Sequence, residues 1–144
     1  MPWFDEIDEK AWLEALPVYQ ADIVEDLLKV KSPEDAATAW LEASTDNTSP
    51  FGGQHKAKRK YLEFLIVEVR KLLCGSPEYD NERNQLEKVA QSPVNKTAIV
   101  STVSAIIGAK VGLAATFIAP VIVIIFIMIA KISLNAWCAM TTTN

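Results

Sequence analysis

A chain of 144 residues has room for one small domain and little more. Its single histidine and two cysteines cannot assemble a metal-ligand cluster, so we expect no metal and no other cofactor. Cys74 and Cys138 lie in different segments and indicate no disulfide framework, so we expect two buried thiols in a reducing cytosol. No Gly-rich phosphate loop, acid/base pair or nucleophile motif is present, which argues against an enzyme.

Charge is unevenly distributed along the chain, whose formal net charge is −4. Residues 1–50 carry 12 acidic and 3 basic side chains, a net charge of −9. Residues 51–96 carry 6 acidic and 9 basic ones, a net charge of +3, and residues 97–144 carry only two lysines. An acidic first part and a basic middle therefore precede an almost uncharged end. The acidic N-terminus lacks the features of a signal peptide.

Three amphipathic helices are predicted before residue 45. The first runs from about Glu6 to Leu16 and is stopped by Pro17. Apolar residues recur at spacings of three and four on one face of the second, namely Tyr19, Ile23, Leu27 and Val30. The third starts at Ser32, which can cap it, with Pro33 in its first turn.

A joint and a fourth helix follow. Residues 44–54 are turn formers and predict a flexible connection. The helix from about Gln54 to Cys74 is basic at its start and then apolar on nearly every side, which is typical of the middle of a bundle.

Capping residues mark the remaining helix boundaries. Gly75 ends the fourth helix, Ser76 begins a polar fifth one, and Asn95 can cap a last helix. No strand pattern appears, so we predict an all-α fold with a cytosolic helical domain over residues 1–92.

Residues 111–130 form the most apolar stretch, with no charge and twelve Ile, Val, Leu or Phe residues. Twenty residues match a bilayer core of about 30 Å at about 1.5 Å per residue, and the twelve large side chains favour insertion by roughly 4–7 kcal/mol. We expect the domain to be too small to enclose such a segment. The sequence therefore predicts a C-terminal transmembrane helix within a membrane-embedded region, residues 93–134.

The apolar sequence begins well before this span. One helix from Ala98 to Ala130 would be about 50 Å long and would exceed the bilayer core. It would project from the membrane, kink at Pro120, or turn at Gly108 and Gly112 as a re-entrant hairpin.

The flanking charges give an orientation. Arg83, Lys88 and Lys96 precede the span. Only Lys131 follows it, so the positive-inside rule places the N-terminal domain in the cytosol. Residues 135–144 would form a short tail on the far side, with Trp137 at the interface.

Small residues recur every four positions in this region, at Ser104, Gly108, Gly112, Thr116 and Pro120. A neighbouring row consists of Ser101, Ala105 and Ala109. Helices in lipid associate through close backbone approach, so these rows predict a pore or oligomer face, although small residues are common in membrane helices generally.

Lys110 interrupts the apolar sequence. A lysine here either extends to the lipid interface or faces water inside an assembly. In the second case the hydroxyls of Ser101, Thr102 and Ser104 would line the same passage.

A basic run lies at the start of the fourth helix, formed by Lys56, Lys58, Arg59 and Lys60 beside Tyr61. Such a run can bind a polyanion: anionic lipid headgroups, nucleic acid or a nucleotide signal, with Tyr61 stacking on a base. A solvated helix face, or pairing with the acidic first part of the chain, explains the run equally well.

The layout as a whole resembles a known family. A short helical bundle, a basic helix and a small-residue-rich membrane segment ending in Lys131-Ile-Ser-Leu-Asn-Ala-Trp-Cys resemble the small membrane effectors of bacterial anti-phage operons, nearest the channel subunit of the Hailong defence system. The resemblance is one of architecture over the whole chain. It implies an oligomeric channel in the bacterial inner membrane, whose cytosolic part senses a nucleotide-derived signal made by a partner enzyme.

We therefore predict a homo-oligomeric membrane pore or ion channel gated by its cytosolic domain. Its partners would be the lipid bilayer, further copies of itself, and the nucleotide signal with its enzyme. Two alternatives stay open: a tail-anchored adaptor that holds a cytosolic partner at the membrane, and an ungated holin-like toxin.

Overall fold

The computed structural model of the chain describes residues 3–43, 55–91 and 95–141. Within these ranges the fold is all-α, as predicted, with no strand. The α-helices are α1 (Glu9–Glu14), α2 (Val18–Val30), α3 (Pro33–Ala43), α4 (His55–Cys74), α5 (Asp80–Val89), α6 (Lys96–Val111), α7 (Ala115–Ala130) and α8 (Leu134–Thr141). Short 3₁₀ helices, Phe4–Glu6 and Pro77–Tyr79, precede α1 and α5.

The helix boundaries predicted from capping residues are confirmed. Ser32 Oγ accepts a hydrogen bond from the Asp35 N–H at 3.1 Å, and Asn95 Oδ1 accepts one from the Ala98 N–H at 3.0 Å. Gly75 follows α4 with a φ of +102°, the left-handed conformation that glycine adopts most readily.

Of two further predictions for the first half of the chain, one is corrected by the structure and the other lies outside the described residues. The first helix is shorter than predicted, because Asp8 caps α1 by accepting a hydrogen bond from the Ala11 N–H at 2.8 Å. The joint predicted over 44–54 lies outside the described residues.

The apolar helix α7 is enclosed by the rest of the chain. Every residue from Pro120 to Ile127 is buried, and α1, α2, α3, α6 and α8 all pack against the helix. The expectation that so small a domain could not enclose this segment is therefore wrong. Several short helices on different sides of α7 share its surface, so no single partner has to cover it.

An aromatic cluster joins the N-terminal segment to α7. The rings of Phe4 and Phe126 meet edge to face with centroids 5.1 Å apart, and the Trp12 ring lies 4.6 Å from that of Phe126. All three side chains are fully buried. Edge-to-face and tilted contacts of this kind add about 0.5–1.5 kcal/mol per pair to the burial itself.

The predicted long helix from Ala98 to Ala130 is broken. α6 ends at Gly112, whose φ is +80°, and α7 leaves at 113° to it, so the chain turns at the glycine and not at Pro120. Among the described helices none alone is long and apolar enough to cross a membrane. By length and composition α6 and α7 together meet that test. We call α6, residues 112–114 and α7 the apolar hairpin.

Two amphipathic faces point differently from the prediction. On α2 the predicted apolar face is largely exposed, since Tyr19 and Ile23 are accessible while Gln20 and Val24 are buried. α4 is not in the middle of the bundle: it leaves Phe64 44% exposed. α2 packs against α3, α1 and α7, and α4 packs mainly against α3, α5 and α6, so these neighbours decide which face each helix buries.

The C-terminal helix α8 returns to the N-terminal helices. Cys138 forms a disulfide with Cys74 of α4, with their Cα atoms 5.6 Å apart. The Arg70 guanidinium lies 5.1 Å from the centre of the Trp137 ring, and Asp5 accepts a hydrogen bond from the Leu134 N–H at 3.0 Å. The prediction of two unpaired cysteines is wrong, and the expected separate far-side tail is instead fastened to α4.

Candidate functional site

The apolar hairpin turns tightly because Gly108 has no side chain. A Cβ at this position would lie 2.5 Å from the Leu113 carbonyl oxygen, a contact that the backbone could not accept without moving. The Gly108 carbonyl accepts hydrogen bonds from the N–H groups of Gly112 and Leu113, at 2.8 and 3.0 Å. Gly108 and Gly112, which were both predicted to lie on an oligomer face, therefore form the turn of the hairpin within a single chain.

Side chains of α2 and α3 bind the backbone of α7 next to Pro120. Proline has no N–H, so the carbonyl four residues earlier, that of Thr116, loses its helical donor. Gln20 Nε2 donates to this carbonyl at 3.4 Å, and Trp40 Nε1 donates to the Phe117 carbonyl at 3.0 Å. The first turns of α7 are thus held by polar groups of the surrounding helices.

Ion pairs fasten both ends of α6. Near its start Lys96 pairs with Glu14 of α1. At its end Lys110 Nζ lies 2.9 Å from Glu78 Oε1, where a positive charge also meets the negative end of the helix dipole. Lys110 was expected at a lipid interface or in a wet passage; in this structure it joins α6 to the 3₁₀ helix before α5.

The Lys110 pair belongs to a larger network. Lys71 Nζ lies 3.3 Å from Glu78 Oε2 and 3.3 Å from Glu68 Oε2, and the Tyr79 hydroxyl donates to Glu68 Oε1 at 2.6 Å. Glu68 is 3% exposed, so these two partners compensate a buried carboxylate. Burial, together with Glu68, raises the pKa of Tyr79, which therefore remains a donor.

The ion pairs shift the pKa values of both surface carboxyls. Hydrogen bonding to Lys96 lowers the pKa of Glu14 below its ordinary value of 4.5. Lys110, and then Lys71, lower the pKa of Glu78 in the same way. Both carboxyls are accessible, so each pair contributes little alone, but the two act at opposite ends of one helix.

The predicted pore or oligomer residues divide into two groups. Ser104, Gly108 and Pro120 are buried against other parts of the chain, whereas Gly112 and Thr116 are exposed. The neighbouring row of Ser101, Ala105 and Ala109 is exposed along α6. This row could therefore make a close helix contact with a second copy of the chain. Gly108, in contrast, already packs against the turn of the apolar hairpin.

The predicted polyanion-binding residues whose side chains are described, Arg59, Lys60 and Tyr61, have different surroundings. Lys56 and Lys58 belong to α4, but their side chains lie outside the description. Arg59 Nη1 lies 3.3 Å from Asp35 Oδ1, which is the predicted alternative of pairing with the acidic first part, and Lys60 is exposed. Tyr61 is 4% exposed and its pKa is raised to about 12 by burial, so its ring cannot stack on a base here.

Several contacts of the site could not be predicted from the sequence. The bonds from Gln20 and Trp40 to α7 join residues 96 and 77 positions apart, and the Lys96–Glu14 pair spans 82 positions. Pro120 inside an apolar run was the one local signal that an outside donor would be needed. Within the described part of the chain, no cluster of three or more His, Cys, Asp or Glu side chains could hold a metal ion.

Comparison with known proteins does not assign the chain to a family. No family model matches the sequence, and neither a curated protein nor a solved structure is significantly similar to it.

Proposed function

We propose that the protein is a membrane effector that opens a homo-oligomeric pore or channel, and that this structure is its closed form. The observation that carries the proposal is the apolar hairpin. Its two helices together are apolar and long enough to enter a bilayer, α7 has no charged residue, and the rest of the chain covers α7. The covering helices enclose α7 by apolar packing, and a few polar groups and two accessible ion pairs fix the hairpin in addition.

Insertion of α6 and α7 into the membrane as a hairpin agrees better with the contacts in the structure than insertion as a single transmembrane helix. Each of the two helices has 16 residues and is about 24 Å long, close to the bilayer core with modest local thinning. Both ends of a hairpin stay on one side of the membrane. The Cys74–Cys138 disulfide supports this topology, because it ties the segment after α7 to α4.

A two-helix hairpin encloses no channel, so conduction would require several copies. The exposed row of Ser101, Ala105 and Ala109 offers the close helix contact that lipid favours. Lys110, freed from Glu78, would then lie near the turn of each hairpin. A nucleotide-derived trigger acting through Lys56, Lys58, Arg59 and Lys60 is the part of the proposal that rests on the family resemblance.

Dye and ion release from liposomes tests the proposal. Purified protein should release the contents of phosphatidylethanolamine/phosphatidylglycerol vesicles, and Lys110→Glu should release them faster because Glu78 then repels the end of α6. Lys88→Glu makes the same charge change on an exposed lysine in the last turn of α5 and should resemble wild type. Absence of release by every variant, at pH 7 and pH 4, with and without oligonucleotides, would exclude a pore.

Protease protection tests the hairpin topology. A tag after Asn144 should be removed by protease added outside the vesicles, since both ends of the hairpin stay there. A tag protected inside would favour the single span predicted from the sequence.

A second candidate function is the membrane adaptor, favoured by the face of α2. Val18 and Val30 are 77% and 80% exposed, and Tyr19 and Ile23 lie between them. Exposed apolar side chains in such a row are typical of a protein-binding surface. Tyr19→Ser with Val30→Ser should abolish binding of a partner and leave vesicle release intact if both functions exist; an adaptor alone would give no release with either protein.

A further inference from the structure

We propose that the crevice between the α1–α2 turn and the apolar hairpin binds a neutral amphiphile, an apolar chain with one hydrogen-bonding group. The crevice has a volume of about 270 Å³. Its walls come from Leu16 and Pro17 on one side and from Val100, Ala115 and Ala119 on the other. This inference does not depend on the proposed pore.

Ser104 is the most deeply buried of the polar residues that line the crevice, which also include Gln20, Thr97, Ser101 and Thr116. Its side chain lines the crevice, the residue is 1% exposed, and its hydroxyl has no hydrogen-bond partner among the described residues. A buried hydroxyl without a partner is costly in a folded protein, and such groups are nearly always satisfied. A ligand oxygen at this position would satisfy it.

The rest of the lining defines the ligand class. None of the residues that line the crevice carries a charge, so a carboxylate or ammonium group would lose its hydration without a compensating partner. Tyr19, 65% exposed, lies at the mouth, whereas Ser104 is deeply buried. The apolar chain would therefore contact the aliphatic walls, and its oxygen would meet Ser104.

The position of the crevice gives the ligand a structural effect. One wall belongs to the helices that cover the hairpin, and the opposite wall belongs to the hairpin itself. A molecule that contacts both walls binds only while they face each other, so it stabilises this arrangement of the helices increasingly with its free concentration relative to its Kd.

The test is titration of the purified protein with 1-octanol and with octanoate, followed by amide NMR and by thermal unfolding. We expect saturable shifts at Val100, Ser104 and Ala119, a higher Tm with 1-octanol, and affinity at least tenfold weaker for octanoate. Ser104→Ala should weaken 1-octanol binding about 3- to 10-fold, the loss of one neutral hydrogen bond.

Ser104→Ala should also raise the Tm of the free protein, by roughly 2–8 °C, because it removes a buried hydroxyl without a partner. Opposite effects on stability and affinity would identify Ser104 as a binding residue. Thr102→Val deletes a hydroxyl on the same helix outside the crevice and should leave affinity unchanged. Shifts that do not saturate, or equal affinity of wild type and Ser104→Ala, would overturn the proposal.

Discussion

Pro120 is the residue at which α7 depends most directly on its neighbours. Its missing N–H leaves the Thr116 carbonyl to the Gln20 side chain of α2. The proline thus converts a bond within one helix into a bond between two helices. This polar contact gives the otherwise apolar α7 a defined position along its axis, which apolar packing alone specifies weakly.

A double-mutant cycle at this contact tests its contribution. Gln20→Leu should lower the free energy of unfolding by about 1 kcal/mol, because the Thr116 carbonyl then has no donor. In a Pro120→Ala background the helix supplies its own N–H, so the same change should cost about half as much or less. Urea denaturation of the four proteins measures the coupling, and strictly additive losses would mean that Gln20 does not serve this carbonyl.

Gly108 gives a second prediction at the residue scale. Replacing a helical glycine by alanine normally stabilises a protein by about 0.5–1 kcal/mol. Here the new Cβ would meet the Leu113 carbonyl oxygen, so Gly108→Ala should destabilise the protein by roughly 1–3 kcal/mol. If the variant is instead more stable and changes only the size of the oligomer, Gly108 acts between chains.

The element on which the proposed function depends is α6, fastened at both ends. Glu14 and Glu78 pair with Lys96 and Lys110, so α6 is joined to α1 at one end and to the 3₁₀ helix Pro77–Tyr79 at the other. Because the pairs are accessible, they can respond to solvent conditions without unfolding of the core.

Acidification should loosen this attachment. The pKa values of Glu14 and Glu78 are lower in the folded protein than their ordinary value of 4.5. Their contribution to stability is therefore complete above about pH 4.5 and is lost as the pH falls through the folded pKa values. Urea midpoints at pH 7 and pH 3.5 should differ less in Glu14→Gln/Glu78→Gln than in wild type. The control Glu25→Gln, an exposed carboxyl of α2, should keep the wild-type pH dependence.

For the whole molecule, the decisive constraint is the disulfide between α4 and α8. It joins residues 64 positions apart and encloses α5 and the apolar hairpin in one covalent loop. A closed loop of this length restricts the unfolded chain and limits how far the hairpin can move from α4.

Reduction of the disulfide should make the protein less stable and more membrane-active. A loop of this length corresponds to a loss of about 4 kcal/mol in the free energy of unfolding. Urea unfolding with and without dithiothreitol measures it, and Cys74→Ser/Cys138→Ser should be insensitive to the reductant. Reduced protein should also release vesicle contents faster; equal rates would mean that α8 does not restrain the hairpin.

The sequence by itself determined the all-α class, several helix boundaries and the location of the apolar segment. Capping groups act within one turn, so Ser32, Gly75 and Asn95 predicted their boundaries correctly, and the uncharged run from residue 111 to 130 was recognisable from composition. The break at Gly112 was among the alternatives considered, since glycine permits a turn but does not require one.

Only the tertiary structure decided what the apolar segment packs against. Whether twenty apolar residues face lipid or protein depends on what surrounds them, and five helices, three of them from the distant N-terminal part of the chain, pack against α7. Likewise the Cys74–Cys138 bond and the Lys110–Glu78 pair join residues that only the fold brings together. Hydrophobicity is a property of the residues, whereas the partner that buries them is a property of the whole fold.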